Sequence, residues 1–174
     1  QVINVFNRFN SVNDASNFYI LEISPKLKKF QKNKIQNDKI KWVDSLDELP
    51  QCPVIFFSNE FFDSFPVKQF FKLNDSWFER YVIFKNNRFQ LSKKKIKKSV
   101  IERLFDDKIH KKEKFIEFSP KAFEYLCKIG KIIKINSGGI LIIDYGYEKE
   151  TMVDTLQSVK NHKKNNYLTN VYNA

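Results

Sequence analysis

Val54-Ile55-Phe56-Phe57-Ser58-Asn59-Glu60-Phe61-Phe62-Asp63-Ser64-Phe65-Pro66 joins an uninterrupted apolar run to a cluster of polar groups. Val54 to Ser58 (VIFFS) reads as a strand apolar on both faces, as strands of a helix-covered parallel sheet tend to be. Directly after it, Asn59, Glu60 and Asp63 place one amide and two carboxylates within five positions, among phenylalanines. Polar groups desolvated without partners in such company are costly, so the segment either binds something or faces a cleft. The alternative is an Asx-type turn before Pro66 with solvated acids.

The same strand-then-helix pattern recurs outward from this segment. Upstream, Asn17 to Ser24 (NFYILEIS) is a buried strand ending at Ser24-Pro25, and Leu27, Phe30 and Ile35 follow at helical spacing. Ile40 to Val43 (IKWV) is another strand, followed by the helix-start residues Asp44, Ser45, Asp47 and Glu48. Val2, Ile3, Phe6 and Phe9 are spaced like the last turns of an amphipathic helix, so the pattern is expected to begin upstream of Gln1.

Downstream, Val67 to Leu73, Trp77 to Phe84 and Arg88 to Leu91 alternate with the polar turns Asn74-Asp75-Ser76 and Lys85-Asn86-Asn87. They read as an antiparallel meander. Ser92 to Lys112 is ambiguous between a loop and a short helix around Val100 to Phe105. Lys114 to Phe118 is extended. Ser119-Pro120 places an N-cap and an N1 proline ahead of a helix over Lys121 to Asn136. Gly138 and Gly139 are expected to end that helix and lead into a strand at Ile140 to Ile143.

The alternation points to an open parallel α/β sheet, in which ligands bind outside the carboxyl ends of the strands. Three such ends carry chemistry: Glu22, the Ser58–Asp63 run, and Asp144-Tyr145-Gly146. An acid at a strand end can accept both ribose hydroxyls of a nucleoside cofactor, since one carboxylate offers two oxygens. It can equally do no more than cap the strand.

Composition narrows the classes. The chain has 174 residues, 42% of them hydrophobic, with 18 Phe, which marks a folded chain rather than a disordered one. No apolar run reaches the roughly 18 to 20 residues of a membrane span, so the expectation is a soluble protein. The charge of +11 fits a polyanionic partner, but Lys93, Lys94, Lys95, Lys97 and Lys98 have no interleaved aromatics to stack on bases. This cluster reads as a solvated loop, and nucleic acid is not the expected partner. Cys52 and Cys127 are expected to be small core residues. Two histidines and two distant cysteines argue against a metal; His110 reads as a surface residue of a lysine-rich loop.

The blocks FYILEISPKLKKFQK, SNEFFDSFPVKQF, WFERYV, GGILIIDYGY and DTLQSVKNH resemble, in order and spacing, those of the MidA-type methyltransferases. The likeness runs from about Asn17 to His162. It implies a partial Rossmann-like class I methyltransferase fold with an inserted antiparallel meander at 67–118. It also implies S-adenosyl-L-methionine as cofactor and, in the mitochondrial branch, protein arginine as substrate. The family's first strand and glycine-rich loop are expected before Gln1, making 1–174 a single incomplete domain that binds cofactor poorly by itself. Thr169 to Asn173 also departs from the family's proline and glycine turn.

By the same resemblance Glu22 holds the ribose, and Asp44 with Ser45 lies near the adenine. Asn59, Glu60 and Asp63 line the junction of methyl donor and substrate, Asn59 touching the cofactor as well. Asp144, Tyr145 and Gly146 form a second wall on the substrate side, with Lys160 and His162 at its rim. A respiratory complex I subunit or its bacterial equivalent is the implied partner, in the mitochondrial matrix or the bacterial cytoplasm. A non-catalytic assembly factor is the competing reading, with Phe70, Phe71, Trp77, Phe78 and Tyr81 as its contact surface.

Overall fold

A computed structural model describes residues 2–6, 8–148, 151–160, 163–165 and 168. It is an α/β protein with parallel and antiparallel strand pairs. Two compact units are formed, Gln1–Ile55 with Lys128–Gly139, and Phe56–Cys127 with Ile140–Ala174.

The first unit opens with the short helices α1 (Val2–Phe6) and α2 (Asn10–Ala15). Strand β1 (Phe18–Leu21), helix α3 (Pro25–Lys34) and strand β2 (Ile40–Val43) follow. β1 and β2 pair in parallel, from Phe18 opposite Ile40 to Leu21 opposite Val43. Helix α3 starts where expected, because the Ser24 side chain accepts from the Leu27 N–H at 3.4 Å and Pro25 fills the first helical position. Its apolar residues do not face inward as expected, for Leu27 and Phe30 are 52% and 62% exposed. Polar residues anchor the helix instead. Lys28 reaches Asp44 at 2.5 Å, and Gln31 joins Glu22 to the Trp42 indole. After β2, a 3₁₀ turn (Leu46–Glu48) is closed by a capping box, with Glu48 Oε1 accepting from the Asp44 and Ser45 N–H groups at 2.8 Å each.

Strand β3 (Val54–Asn59) pairs with the strand after the long helix, and both run through the division between the units. In the first unit Val54 N–H donates to Ser137 C=O at 3.1 Å; in the second, Glu60 N–H donates to Ile143 C=O at 2.9 Å. β3 alternates half-buried and exposed residues, where a run buried on both faces was expected.

The second unit is built on a four-stranded antiparallel sheet. Its strands are β4 (Lys68–Leu73), β5 (Ser76–Lys85), β6 (Arg88–Ile96) and β7 (Phe115–Phe118), in the order β6-β5-β4-β7. The hairpins close tightly because Asn74, Asp75, Asn86 and Asn87 all take positive φ, between 44° and 58°, the left-handed backbone a two-residue hairpin loop needs. Helices α4 (Lys98–Leu104) and α5 (Asp107–Lys112) fill the stretch between β6 and β7. The core is Phe70, Trp77, Ile101 and Ile116, with Ile96, Phe105, Ile109 and Met152 packed against it. On the opposite face Arg80 lies over both the Phe71 and Phe115 rings and donates to Gln69 Oε1 at 2.8 Å and to Asp154. The chain continues through α6 (Pro120–Asn136), β8 (Gly138–Ile143) and the small hairpin β9 (Ser158–Lys160) and β10 (Lys163–Asn165).

Several expectations are corrected. β6 runs on to Ile96, so Lys93 to Lys95 lie in a strand paired with Arg80 to Phe78 rather than in a loop. Backbone pairing decides this, since an edge strand tolerates lysine on its flanks. His110 is buried at 5% exposure on α5, its Nδ1 lying 3.4 Å from the Phe105 carbonyl oxygen. Cys52 and Cys127 are both exposed, not core residues. Phe70 and Trp77 are 1% and 3% exposed, which removes them from any aromatic contact surface.

Gly138 and Gly139 belong to β8 and do not end α6; Ser137 takes the left-handed turn, with φ of 65°. Gly138 has φ of 136°, and a Cβ there would run into the Val54 backbone. Gly138→Ala is therefore expected to destabilise the chain by about 1–3 kcal/mol, read from its denaturant midpoint. Wild-type stability in that variant would disprove the close approach.

Candidate functional site

In the first unit, Glu22 directly follows β1 and Asp44 directly follows β2, on neighbouring strand ends. The Glu22 N–H donates to the Val43 carbonyl at 3.4 Å. The Glu22 carboxylate already accepts from the Ser24 N–H at 2.9 Å and from Gln31 Nε2 at 3.1 Å, one bond to each oxygen. Each carboxylate oxygen retains a second lone pair, so the group is oriented and still able to accept. Asp44 is exposed and paired with Lys28, whereas Ser45 spends its Oγ within the 3₁₀ cap, donating to Asp47 Oδ2 at 2.9 Å.

The second unit gathers Glu60, Asp63, Asp144 and Tyr145 into one hydrogen-bonded turn. Glu60 follows β3 with φ of 48°, a left-handed conformation that costs a non-glycine residue about 1–3 kcal/mol. Its backbone is tied by the N–H bond to Ile143. Asp144 Oδ2 accepts from the Phe62 N–H at 3.1 Å and the Asp63 N–H at 3.3 Å, and Oδ1 accepts from the Tyr145 N–H at 2.8 Å. The Tyr145 hydroxyl donates to Glu60 Oε1 at 3.0 Å. That bond to Glu60, then the charge of Glu60, raises the Tyr145 pKa above its ordinary 10.0; the Asp63 and Asp144 charges add to the effect. The phenol therefore stays protonated as a donor well past neutral pH.

The phenylalanines of the segment supply the footing. Phe61 meets Phe62, Phe65 and Tyr125 edge to face with centroids 4.9 to 5.5 Å apart, and Tyr125 stacks on Phe65 at 5.2 Å. Such contacts are worth about 0.5–1.5 kcal/mol each beyond burial. They turn the aromatic residues beneath the turn and leave the Glu60 and Asp63 carboxylates outside it, both residues being exposed.

The other expected site residues are placed as follows. Asn59 ends β3 and is exposed, and at the preceding position Ser58 Oγ is buried without a hydrogen-bond partner. Gly146 follows Tyr145 with open space where a Cβ would be, so nothing among the described residues demands glycine there. Lys160 ends β9, and His162 lies outside the described residues. Two contributors escaped the sequence reading: Gln31 orients Glu22, and Tyr125 supports the turn. Asp144 was singled out as a wall residue, but its bonds to backbone N–H groups were not foreseen. Only Gln31 had a sequence signal, its place one turn from Lys28 on α3.

Among the described residues no group of three or more His, Cys, Asp or Glu could hold a metal ion, and no helix is long and apolar enough to cross a membrane.

Two crystal structures of one superfamily from Burkholderia thailandensis share the fold. One is bound to S-adenosyl-homocysteine and aligns with a TM-score of 0.55 and 17% identity over 74% of this chain and 35% of its own. The other, a native structure, aligns at 0.62 and 17% over 85% and 41%. Protein arginine methyltransferase NDUFAF7 homolog, mitochondrial, of Caenorhabditis elegans is 31% identical over 144 residues, covering 80% of this chain and 34% of the relative. The zebrafish (Danio rerio) and human proteins named protein arginine methyltransferase NDUFAF7, mitochondrial, are 24% and 23% identical over 93% and 96% of the chain. The chain spans 34% to 44% of the length of these curated relatives.

These likenesses place the fold in the methyltransferase class. Residues 1–173 match the family described as "Putative S-adenosyl-L-methionine-dependent methyltransferase", and the chain belongs to that family, of MidA type. The methyl donor of the family is S-adenosyl-L-methionine.

Proposed function

We propose that this chain contributes the nucleoside-binding strand ends and the substrate-facing carboxylates of a protein arginine methyltransferase, with a respiratory complex I subunit or bacterial equivalent as target. The mitochondrial matrix or the bacterial cytoplasm is the proposed setting. The observation that carries the reading is the Glu60-Asp63 turn, two exposed carboxylates on an aromatic base at the end of β3. The Rossmann-like reading of the sheet, and of 67–118 as an insertion in one domain, belongs to the same proposal.

The strand ends of the first unit suit the nucleoside half of the cofactor. Glu22 would accept the ribose hydroxyls with its remaining lone pairs, and Asp44 and Ser45 would lie beside the adenine. The chain's four glycines form no cradle for the methionine half. The bound cofactor supplies an electrophilic methyl group on a sulfonium sulfur.

The guanidinium of a protein arginine remains protonated, and its nitrogens are poor nucleophiles. Glu60 and Asp63 would hold its N–H groups by charge-assisted hydrogen bonds and draw the positive charge away from the reacting nitrogen. Positioning of this kind can lower a barrier by as much as about 7–11 kcal/mol in ideal cases. Asn59 would stand where donor and substrate meet. Asp144, Tyr145 and Gly146 would form the second wall, with Lys160 and His162 at the rim.

The test is calorimetric titration of S-adenosyl-L-methionine into the full-length protein and its Glu22→Ala variant, with labelled methyl transfer to protein arginine measured in parallel. Wild type is expected to bind and transfer, and Glu22→Ala to bind roughly ten- to a hundredfold more weakly, as loss of hydrogen bonds to a charged group requires. Folded wild-type protein that binds no cofactor would overturn the enzymatic reading. A non-catalytic assembly factor would then take its place, using the exposed residues of the β5–β6 hairpin such as Tyr81, Val82 and Phe84.

A further inference from the structure

We infer that Asp144 and Tyr145 are positioning residues, a brace at the end of β8 that holds the β3 turn so that Glu60 meets the substrate mainly through one oxygen. The inference rests on the arginine methyltransferase reading, and changes what the second wall of the site does.

Three features of the turn lead to it. Asp144 spends both of its oxygens on backbone N–H groups, those of Phe62, Asp63 and Tyr145. A carboxylate so occupied acts by converging N–H dipoles on itself and fixing the turn between them. The Phe62 and Asp63 N–H groups lie two and three residues after the strained Glu60, so Asp144 fixes the turn that the left-handed residue opens. Tyr145 then donates its hydroxyl to Glu60 Oε1, which leaves that oxygen one lone pair and Oε2 both of its own for an incoming ligand.

The consequence is a division of the guanidinium between two acids. An unbraced glutamate grips an arginine with both oxygens in a parallel fork, the strongest ground-state hold available. Because Oε1 already shares its charge with the phenol, Glu60 grips a guanidinium mainly through Oε2, and Asp63, exposed on the same turn, supplies a second acceptor. Two single contacts from different residues hold the substrate less tightly in the ground state and leave the guanidinium free to tilt as the nitrogen takes the methyl group. Interactions weaker in the ground state than in the transition state raise kcat at the expense of KM. A phenol is protonated at neutral pH, and the hydrogen bond to Glu60 raises its pKa further, so the brace persists across the neutral range.

Two measurements on the full-length protein test this. In steady-state transfer to an arginine peptide, Tyr145→Phe is expected to lower kcat about tenfold, the loss of one hydrogen bond to a charged group, and to lower the peptide KM as well. A raised KM with unchanged kcat would mean that Tyr145 touches the substrate directly and would overturn the brace; so would no change in either. In amide hydrogen exchange without substrate, Asp144→Ala is expected to speed exchange at Phe62 and Asp63 at least tenfold while β4 to β7 keep their protection. Unchanged exchange at those two amides would overturn it too. The exchange experiment needs no turnover. Wild-type protein that binds cofactor yet methylates no arginine therefore sinks the functional reading, while the amides still decide the brace.

Discussion

Glu60→Gln in the full-length protein is expected to lower kcat for arginine methylation by about 10²–10³-fold and to leave cofactor affinity within twofold, the scale seen when one preorganised charge-stabilising group is removed. Glutamine keeps the size of the side chain and one acceptor oxygen, so the turn and its Tyr145 contact can survive. The negative charge is lost, and an NH₂ group can face the guanidinium. A cation is then held by Asp63 alone, and the charge that must leave the reacting nitrogen has one carboxylate to approach instead of two. Single-turnover transfer alongside calorimetry separates the outcomes. A parallel loss of cofactor affinity would show that Glu60 serves the donor rather than the acceptor, and the assignment of roles would fail.

Phe70→Ala is expected to cost about 3–5 kcal/mol of stability, the range for removing a large buried aromatic without refilling the space. Phe70 is 1% exposed, lies on β4 opposite both Glu79 and Ile116, and meets Phe105 edge to face at 5.7 Å. Its loss therefore leaves a hole where sheet and helices meet. Denaturant unfolding should show a lower midpoint at unchanged slope. A cost below about 1 kcal/mol would mean that the neighbouring side chains collapse into the space and that the four-residue core is not the mainstay of the second unit.

The parts of the fold that could be read in advance were those encoded locally. The meander was legible because Asn74-Asp75 and Asn86-Asn87 are the residues a two-residue hairpin loop demands, and α6 because Ser119-Pro120 announces its start. The rest depended on distant partners. Leu27 and Phe30 looked like the inner face of α3, but Asp44, Glu22 and Trp42 draw Lys28 and Gln31 inward instead. β6 past Leu91 has almost no apolar residue to mark it, and only its pairing with β5 makes it a strand. His110 hid among lysines because a single helical turn, capped by Asp106, decides which residue of that run points inward.

The same division holds for the candidate site. Glu60 and Asp63 stood out in sequence because carboxylates beside phenylalanines need a reason. What holds them did not, because the Asp144 oxygens meet N–H groups of residues some eighty positions earlier in the chain. No periodicity carries such information. Glu22 was visible at its strand end, whereas its fixation by Gln31 required the helix to be seen against the strand.

Among the described residues β6 forms one margin of the four-stranded sheet, and Lys93, Lys94 and Lys95 stand along it in succession. Two molecules meeting margin to margin would bring ammonium groups against ammonium groups before any backbone bond could form, so this sheet discourages growth into a larger one. The deterrent reaches about 30 Å at 0.01 M salt, about 8 Å at physiological strength and about 3 Å at 1 M. Concentrated stocks should accordingly keep best in dilute buffer, and polyanions or lysine acetylation would strip the chain of its protection against self-association.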